Sequence, residues 1–532
     1  MKSIPDKIKN ISKYFWVFLA IFLVGVFLRT YKFHDWMRFS MDQARDAAII
    51  SNAVAGKAPL PSLGPDAGNT KFLLGPMYYD LSYLSAKIFG NYPDKMAYPS
   101  LASGILAILF LFFFLREYFD QKISLALTGI MSVSYFMIDT SRFSSNPNLV
   151  PLFVILFLWG LLKIINDPRE FHPGWSALVG FALGMGVQMH AITLVVMPVF
   201  GLLALVYFWK VGGKGMGKSL IIIIALALLF NIGQITSELH TNFQNTRNFF
   251  QGLKSKSENN YGEGAGLIAA CQIEANGYFL TSIGDDYDCG DIFKTPKGGW
   301  IADKSYLLTL AAYTLFSLTG YYFLIYNFVR EKENGRKNFL GLVLLFNLLT
   351  FIVLVSVSSV IHVGYYIVLF FMPFVLLGIL MEAVRNKYGR KGMLAAAVVI
   401  LLLIGSSLAV DGAMASSYAQ GLQNNSSNST LFQAEAMADY ILTTSPQNVS
   451  KVYFAGQGSL AKRYYDATIY LVRQSGLNMS LIKDVDSRRI APGVPIYYIA
   501  QSGAYPVPGM IGNRQITASR QFLNQTIYIL KN

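Results

Sequence analysis

Eleven apolar segments, each close to the length needed to cross a lipid bilayer as a helix, dominate this sequence. A helix rises about 1.5 Å per residue, so about 20 apolar residues cover the roughly 30 Å of hydrocarbon. Of the 532 residues, 53% are hydrophobic and 14% are charged, which argues against a soluble multidomain protein and for an α-helical polytopic membrane protein. The predicted spans are residues 14–33, 97–115, 123–138, 149–165, 175–189, 191–208, 219–236, 305–328, 338–359, 363–383 and 393–410.

The distribution of basic residues predicts the orientation of these spans. Lys and Arg are concentrated in one alternating set of loops, whereas the short loops of the other set contain a single basic residue, Arg142. By the positive-inside rule the first set faces the cytoplasm, so we expect an inner or plasma membrane protein with its functional groups on the external, or periplasmic, side. The net charge of +14 does not indicate nucleic-acid binding, because the cations lie in short runs between apolar segments. The long segments predicted to lie outside are 34–96, 236–304 and 411–532.

The two cysteines, Cys271 and Cys289, both fall in the second of these external segments. Two cysteines are too few for a disulfide-rich scaffold or a four-cysteine zinc site. A disulfide between them would suit an oxidising external compartment, and two unpaired thiols are the alternative that the sequence leaves open.

The chain changes character after residue 410. Residues 411–430 become rich in Ser, Asn and Gln and predict a linker. Residues 431–532 alternate helical and strand patterns, which predicts a small external α/β domain that follows the transmembrane domain of residues 1–410. The predicted elements are helices over Leu431 to Leu442 and Leu460 to Gln474, and strands over Lys451 to Ala455 and Pro495 to Ala500.

The first external segment holds the densest group of charged residues near the membrane. Residues from Asp42 to Ala55 favour a helix, which Gly56 and Pro59 would end. Asp42 and Arg45 can share one face of that helix. One interpretation is a solvated salt-bridge face at the membrane interface. The other is a carboxylate that acts as a general base beside an arginine that binds phosphate.

Other polar side chains are predicted at the same membrane boundary. Arg142 is the exception in a set of short loops that otherwise have no basic residue, which makes it a candidate functional residue. An arginine at this position can also extend its side chain to lipid phosphates. Tyr residues at this depth usually anchor the interface, and an isolated His is more often structural than a ligand. Because the topology places all of these groups on one side, we predict that they converge in one pocket. Its predicted members are Asp42, Arg45, Lys71, Tyr78, Asp139, Arg142, His190, His362 and Tyr365.

Several short motifs along residues 14–410 resemble those of one family, the polyprenyl-phosphate-dependent GT-C glycosyltransferases of family 39. This family includes protein O-mannosyltransferases and the aminoarabinose transferase of lipid A. The leading motif, Asp42-Gln43-Ala44-Arg45, resembles the family's Asp-Glu-x-Arg element. The other similar segments are 75–79, 89–91, 142–147 and 362–373.

The resemblance implies a GT-C-like helical fold with two juxtamembrane helices in the first external loop. It also implies inverting sugar transfer from a polyprenyl phosphate without a nucleotide. Carried over by position, Asp42 would be the catalytic base and Asp139 a second carboxylate of the site. Arg45 and Arg142 would be phosphate ligands.

The sequence departs from the family pattern at two places. Gln43 replaces the more usual acidic residue beside Asp42. The Lys-Pro-Pro pattern of some members is missing, so a lysine contact to phosphate would have to come from Lys71 or be absent. The acidic residue that helps to hold a metal in some members is Leu73 here, so neither a metal nor another cofactor is predicted.

The predicted function is transfer of a sugar from a polyprenyl-phosphate donor to a hydroxyl group of an external lipid, glycan or protein acceptor. The main alternative is a transporter or flippase for a lipid-linked or anionic solute. Such proteins place ionisable groups near the bilayer midplane and contain internal repeats, whereas the charged groups here gather at one boundary. An oligosaccharyltransferase is less favoured because the chain has no Trp-Trp-Asp element. A third alternative is an enzyme-derived scaffold whose external domain binds glycans.

Overall fold

The computed structural model describes residues 13–67, 71–168, 170–211, 216–258, 264–284, 289, 304–357, 361–419, 429–486, 490, 493–522 and 524–531. Up to residue 419 the regular structure of these residues is helical, and a small α/β domain follows. In chain order the helices are α1 (Lys13–Thr30), α2 (Phe33–Trp36), α3 (Met41–Val54), α4 (Met77–Phe89), α5 (Pro93–Met96), α6 (Tyr98–Leu115), α7 (Gln121–Val133), α8 (Tyr135–Thr140), α9 (Val150–Asn166), α10 (Pro173–Gly186), α11 (Ala191–Val211), α12 (Met216–Phe230), α13 (Ile232–His240), α14 (Gln244–Glu258), α15 (Gly264–Thr281), α16 (Lys304–Arg330), α17 (Asn334–Val357) and α18 (Met372–Ala419), with short 3-10 helices at Asn146–Leu149 and Val363–Leu369.

The eleven predicted apolar segments all coincide with helical structure. Six described helices are long and apolar enough to cross a membrane, and α12 with α13 forms a further candidate that is bent by 63°. The predicted segment 123–138 is interrupted at Ser134, which separates α7 from α8. Gly389, at a φ of 56° that glycine adopts readily, divides α18 between the two predicted segments 363–383 and 393–410. The number of crossings, eleven, stays a prediction. The six helices are Lys13–Thr30, Tyr98–Leu115, Asn146–Asn166, Leu307–Arg330, Asn334–Ser356 and Met372–Ala419.

The first span is fixed at its C-terminal end by a buried arginine. Arg29 has no exposed surface, and its guanidinium donates hydrogen bonds to the main-chain oxygens of Gly25 (3.0 Å) and Ser132 (2.9 Å). Gly25 permits close packing of α1, because a Cβ atom there would lie only 2.6 Å from Ile108 Cδ1. The C-terminal end of α1, from which the next loop begins, is therefore held in a defined position against α6 and α7.

Between the first two spans lie two long helices, α3 and α4, as the family resemblance implies, together with the short helices α2 and α5. Ser40 precedes α3, and its main-chain nitrogen and hydroxyl donate to the Gln43 side chain at 3.3 and 2.8 Å. Gln43 is buried, so this capping contact fixes the turn that carries Asp42. Tyr79 of α4 donates to the carboxylate of Asp46 in α3 (2.9 Å), which joins the two helices.

The C-terminal domain is a six-stranded mixed sheet with two helices, α19 (Leu431–Thr444) and α20 (Leu460–Gln474). Its strands are β1 (Lys451–Gly456), β2 (Asn478–Leu481), β3 (Ile496–Gln501), β4 (Met510–Ile511), β5 (Arg514–Phe522) and β6 (Gln525–Leu530). The strand order is β2-β1-β3-β6-β5-β4, with β1 parallel to β2 and β3 and the other neighbours antiparallel. The predicted elements coincide with α19, β1, α20 and β3. The other strands were not predicted, and β5 is mostly exposed and lacks an alternating apolar pattern.

This domain is docked on the loop between the first two spans, residues 34–96. Main-chain hydrogen bonds of 2.8 Å run from Phe39 N to Ser429 O and from Leu431 N to Met37 O. The rings of Phe39 and Tyr470 meet edge to face at 5.7 Å, where α20 packs on α3. The docking therefore holds the start of α20 next to the start of α3.

The two cysteines are joined in the structure. Cys271 of α15 and Cys289 form a disulfide with their Cα atoms 5.0 Å apart. Cys289 Sγ also lies 3.5 Å from the main-chain oxygen of Ile361, immediately before His362. The disulfide thus ties α15 to the segment that leads into the second 3-10 helix.

Candidate active site

A cavity of about 620 Å³ lies where the beginning of α3, the end of α8 and the beginning of α20 meet. It collects residues that are far apart in the sequence. The predicted pocket members that line it are Asp42, Asp139, His190, His362 and Tyr365. The basic residues that line it are Arg38, Lys462 and Arg463. The structure places Arg45, Lys71, Tyr78 and Arg142 outside its lining.

Asp42 presents a solvent-accessible carboxylate to this cavity. It lies in the first turn of α3, and its side chain is 62% exposed. Arg45 Nη1 donates to Asp42 Oδ1 at 3.1 Å, while Arg45 Nε donates to Asp46 at 2.9 Å. Asp46 is buried, and burial raises the pKa of its carboxyl even though Arg45 opposes that shift. Arg45 is therefore held on the far side of Asp42, between two carboxylates.

A close ion pair forms the wall next to Asp42. Arg38 Nη2 donates to Asp139 Oδ2 at 2.6 Å, and both side chains are mostly buried. The Arg38 guanidinium also lies over the ring of Phe143, 4.6 Å from its centroid. Asp139 thus lines the cavity, and its charge is already balanced by Arg38, an arginine that was not among the predicted pocket residues.

The two histidines meet through a shared aromatic ring. The ring of Tyr365 lies 4.5 Å from that of His362 and 5.6 Å from that of His190, measured between centroids. His362 Nδ1 accepts from Gly364 N at 3.1 Å, and His190 Nδ1 accepts from Ile192 N at 3.2 Å. A neutral imidazole that accepts at Nδ1 carries its proton on Nε2. Each ring is therefore set to act as a donor through Nε2.

Arg142 has a different set of partners. Its side chain is 7% exposed, and the guanidinium donates to the main-chain oxygens of Leu28 (3.0 Å), Arg29 (3.1 Å) and Lys32 (3.0 Å). Burial lowers the pKa of Arg142, although Asp139 opposes the shift. These contacts fix the end of the first span and the beginning of the first external loop.

The comparisons with known proteins agree with this architecture. Residues 74–232 match the sequence profile of the dolichyl-phosphate-mannose-protein mannosyltransferase family. Among solved structures, ArnT from Cupriavidus metallidurans bound to undecaprenyl phosphate is similar with a TM-score of 0.56 at 13% identity, over 97% of this chain and 98% of ArnT. The archaeal oligosaccharyltransferase AglB from Archaeoglobus fulgidus, in complex with an inhibitory peptide and a dolichol-phosphate, gives a TM-score of 0.51 at 14% identity, over 89% of this chain and 64% of AglB. No curated protein sequence matches the chain significantly.

The chain has the GT-C fold of these structures, and its residues 74–232 are related to the mannosyltransferase family. The apo form of the same ArnT agrees, with a TM-score of 0.52 at 12% identity over 97% of each chain. Because the two ArnT similarities cover nearly the whole of both chains, they include the C-terminal domain as well as the helical bundle. The family resemblance and the helical membrane fold with a small terminal sheet are thereby confirmed.

Against this family background, two predicted ligands lie away from the cavity. Lys71 is exposed, and its main-chain oxygen accepts from Asn248 Nδ2 at 2.9 Å. Tyr78 is buried, with its hydroxyl 3.0 Å from Ser144 Oγ. Tyr78 thus joins α4 to the segment after α8. The substrate-binding roles of both residues stay predictions.

Lys462 and Arg463 were missed because they belong to the external domain. They lie in the first turn of α20, after the turn that follows β1. Their basic pair is visible in the sequence, but nothing in the sequence indicates that α20 packs against α3. The packing of the two helices brings them to the cavity.

No set of three His, Cys, Asp or Glu side chains able to hold a metal occurs in the described part of the chain. Asp42 and Asp139, the acidic residues of the lining, are each engaged by an arginine.

Proposed function

We propose that this protein is an integral membrane glycosyltransferase that moves a sugar from a polyprenyl-phosphate donor to a hydroxyl group of an external acceptor. The observation that carries this proposal is the position of Asp42. This protein has the GT-C fold, and the exposed carboxylate of Asp42 lies at the start of α3. It faces a cavity that is lined by cations and histidines. The external side of the membrane and the acceptor class, a lipid, glycan or protein, belong to the same proposal.

The donor class is supported by the ligands of structurally similar proteins. ArnT was solved with undecaprenyl phosphate and AglB with a dolichol-phosphate, both long prenyl chains ending in phosphate. The cavity lies beside the ends of helices long enough to span the membrane, where a lipid phosphate would emerge from the bilayer. A cavity of this size can hold a sugar phosphate together with an acceptor hydroxyl.

The proposed step begins at Asp42. Its carboxylate takes the proton of the acceptor hydroxyl while that oxygen attacks the anomeric carbon of the donor sugar. The bond between the anomeric carbon and the phosphate oxygen breaks, and its electron pair remains on the polyprenyl phosphate. The new bond forms on the face opposite the departing phosphate, so the configuration at the anomeric carbon is inverted.

Neighbouring groups would orient this reaction. Arg45 keeps the Asp42 carboxylate in place through its 3.1 Å hydrogen bond. The Nε2 protons of His190 and His362 can donate to sugar or phosphate oxygens. Asp139, neutralised by Arg38, would accept from a sugar hydroxyl through its remaining lone pairs.

The test is a transfer assay on purified protein in lipid nanodiscs with a panel of polyprenyl-phosphate sugars. Asp42→Asn keeps the shape of the side chain but removes the base, so we expect kcat to fall by about 10²–10⁴-fold with little change in donor affinity. Asp66→Asn is the matched control, because Asp66 also lies near Arg45 (3.8 Å) but does not line the cavity.

Two outcomes would contradict this proposal. Full turnover by a folded Asp42→Asn variant would remove Asp42 as the base. Movement of the lipid-linked sugar across a vesicle membrane without any transfer would identify the protein as a flippase instead.

A further inference from the structure

The cations available to a ligand in the cavity come from the external domain. Three Lys or Arg side chains line the cavity, and Arg38 is already paired with Asp139 at 2.6 Å. Within the described residues, neither Lys462 nor Arg463 forms an ion pair with a carboxylate. Lys462 is exposed and Arg463 is partly buried. The positive charge that remains for an anion is therefore concentrated at the first turn of α20.

This turn is held close to Asp42 by several contacts. Gln474, at the end of α20, donates to Ser51 Oγ of α3 at 3.0 Å, and Tyr470 packs on Phe39. Asp466, one turn after Lys462, is close enough to both Lys462 and Asp42 for its carboxylate to be attracted by the first and repelled by the second, so α20 and α3 lie close together despite this repulsion. The packing of the two helices thus places the basic pair and the Asp42 carboxylate in the lining of one cavity.

We propose that Lys462 and Arg463 bind the phosphate of the donor and stabilise it as the leaving group, so that the external domain completes the active site. This inference rests on the proposed glycosyltransfer function. On this inference the C-terminal domain takes a direct part in the reaction, in addition to packing over the cavity.

The charge change during transfer explains the need for these cations. The phosphodiester of the donor carries one negative charge. When the bond to the anomeric carbon breaks, the electron pair moves to the phosphate oxygen, and the product monoester approaches two negative charges. Cations placed where this charge develops lower the barrier, and a guanidinium can bind two phosphate oxygens at once.

The arginines implied by the family resemblance are occupied elsewhere. Arg45 is bound by Asp42 and Asp46, and Arg142 by three main-chain oxygens. Either would have to break these contacts to reach a ligand in the cavity. Lys462 and Arg463 need no such exchange.

The experiment measures binding of undecaprenyl phosphate to the full-length protein in nanodiscs, with undecaprenol as the uncharged counterpart. For Lys462→Gln/Arg463→Gln, we expect the Kd for undecaprenyl phosphate to rise at least tenfold and weak undecaprenol binding to remain unchanged. Product inhibition by undecaprenyl phosphate should weaken by the same factor. Arg473→Gln, at the other end of α20 and exposed, is the matched control and should bind like the wild type.

Additional variants separate binding from folding. Lys462→Arg keeps the charge and should restore most of the affinity lost in Lys462→Gln. An unchanged melting temperature of the double variant would show that the domain is still docked. Should that variant unfold, the two single Gln variants supply the same comparison.

The possible results distinguish this inference from the function on which it rests. If the wild type transfers sugar but the double variant keeps its affinity for undecaprenyl phosphate, the inference is wrong and the function stands. A rise in acceptor KM alone would likewise overturn it and assign the basic pair to an anionic acceptor. If the wild type neither transfers sugar nor binds the phosphate, the proposed function itself fails.

Discussion

His34, in the segment after the first span, lies with its Nε2 atom 3.1 Å from a carboxylate oxygen of Glu435 in the external domain. Its Nδ1 atom is 3.2 Å from Asp94, whose other neighbour is Lys95 Nζ at 2.9 Å. The ring of Tyr92 stacks on the imidazole, and the Tyr92 hydroxyl donates to Glu435. One histidine thus connects two carboxylates from opposite sides of the docking interface.

This arrangement predicts pH-dependent docking. Burial disfavours protonation of His34, but Glu435 and Asp94 outweigh it and raise the pKa above its ordinary value of 6.5. A pKa that is higher in the folded protein means that the stabilisation is complete below about pH 6.5 and is lost as the pH rises through the higher value. We expect a higher melting temperature at pH 6 than at pH 8, and His34→Gln should remove this difference. An equal pH dependence in wild type and variant would contradict the assignment.

The Arg38–Asp139 pair should be a coupled unit. Removing one partner leaves the other charge buried without compensation, so Arg38→Gln or Asp139→Asn should each lower the free energy of unfolding by about 3 kcal/mol. The double variant should lose less than the sum of the two single losses. Reversible SDS-induced unfolding of the four proteins measures the coupling energy. Additive losses would mean that the two side chains do not interact.

Arg142 is expected to act mainly on stability. It donates to three main-chain oxygens at the start of the first external loop, so Arg142→Ala should cost about 2–4 kcal/mol of unfolding free energy. Arg142→Lys keeps the charge but cannot reproduce this set of bonds, and it should recover only part of the loss. Donor affinity measured on the folded fraction discriminates the roles. A loss of affinity without a loss of stability would restore Arg142 as a phosphate ligand.

The disulfide should stabilise the end of the helical bundle that borders the cavity. Cys271 and Cys289 are 18 residues apart, and closing a loop of this length contributes about 3 kcal/mol in the chain-entropy view. Cys271→Ser/Cys289→Ser should lower the melting temperature by several degrees, and a reducing agent should have the same effect on the wild type alone. Because Cys289 contacts the residue before His362, turnover should also fall. A reductant effect that persists in the double variant would point to another cause.

Hydrophobic length and loop charge were sufficient to predict the helical class of the protein. The apolar segments could be located because a membrane requires long uninterrupted runs, and the break at Ser134 alters segment 123–138 only locally. In the external domain, α19, α20, β1 and β3 show regular patterns and were predicted. The exposed strand β5 was not predicted, because most of its side chains face solvent and its sequence does not alternate between apolar and polar residues.

The site was only partly predictable because side-chain partners depend on packing. Asp42, Asp139 and the histidines follow from topology and family resemblance. The hydrogen bond from Arg45 to Asp46 depends on how α3 packs on α4, and no local sequence pattern predicts it. Likewise, Lys462 becomes a cavity residue only because the domain docks on the first loop.

The main-chain bridge between Phe39 and Ser429 also has a consequence for biosynthesis. Its two halves are separated by nearly all of the membrane-embedded chain, so the first half is inserted long before the second is made. The cavity beside Asp42 therefore lacks the wall formed by α20 until the C-terminal domain has been made and has folded. A chain whose synthesis stops early would leave an inserted protein in which this cavity remains open to water.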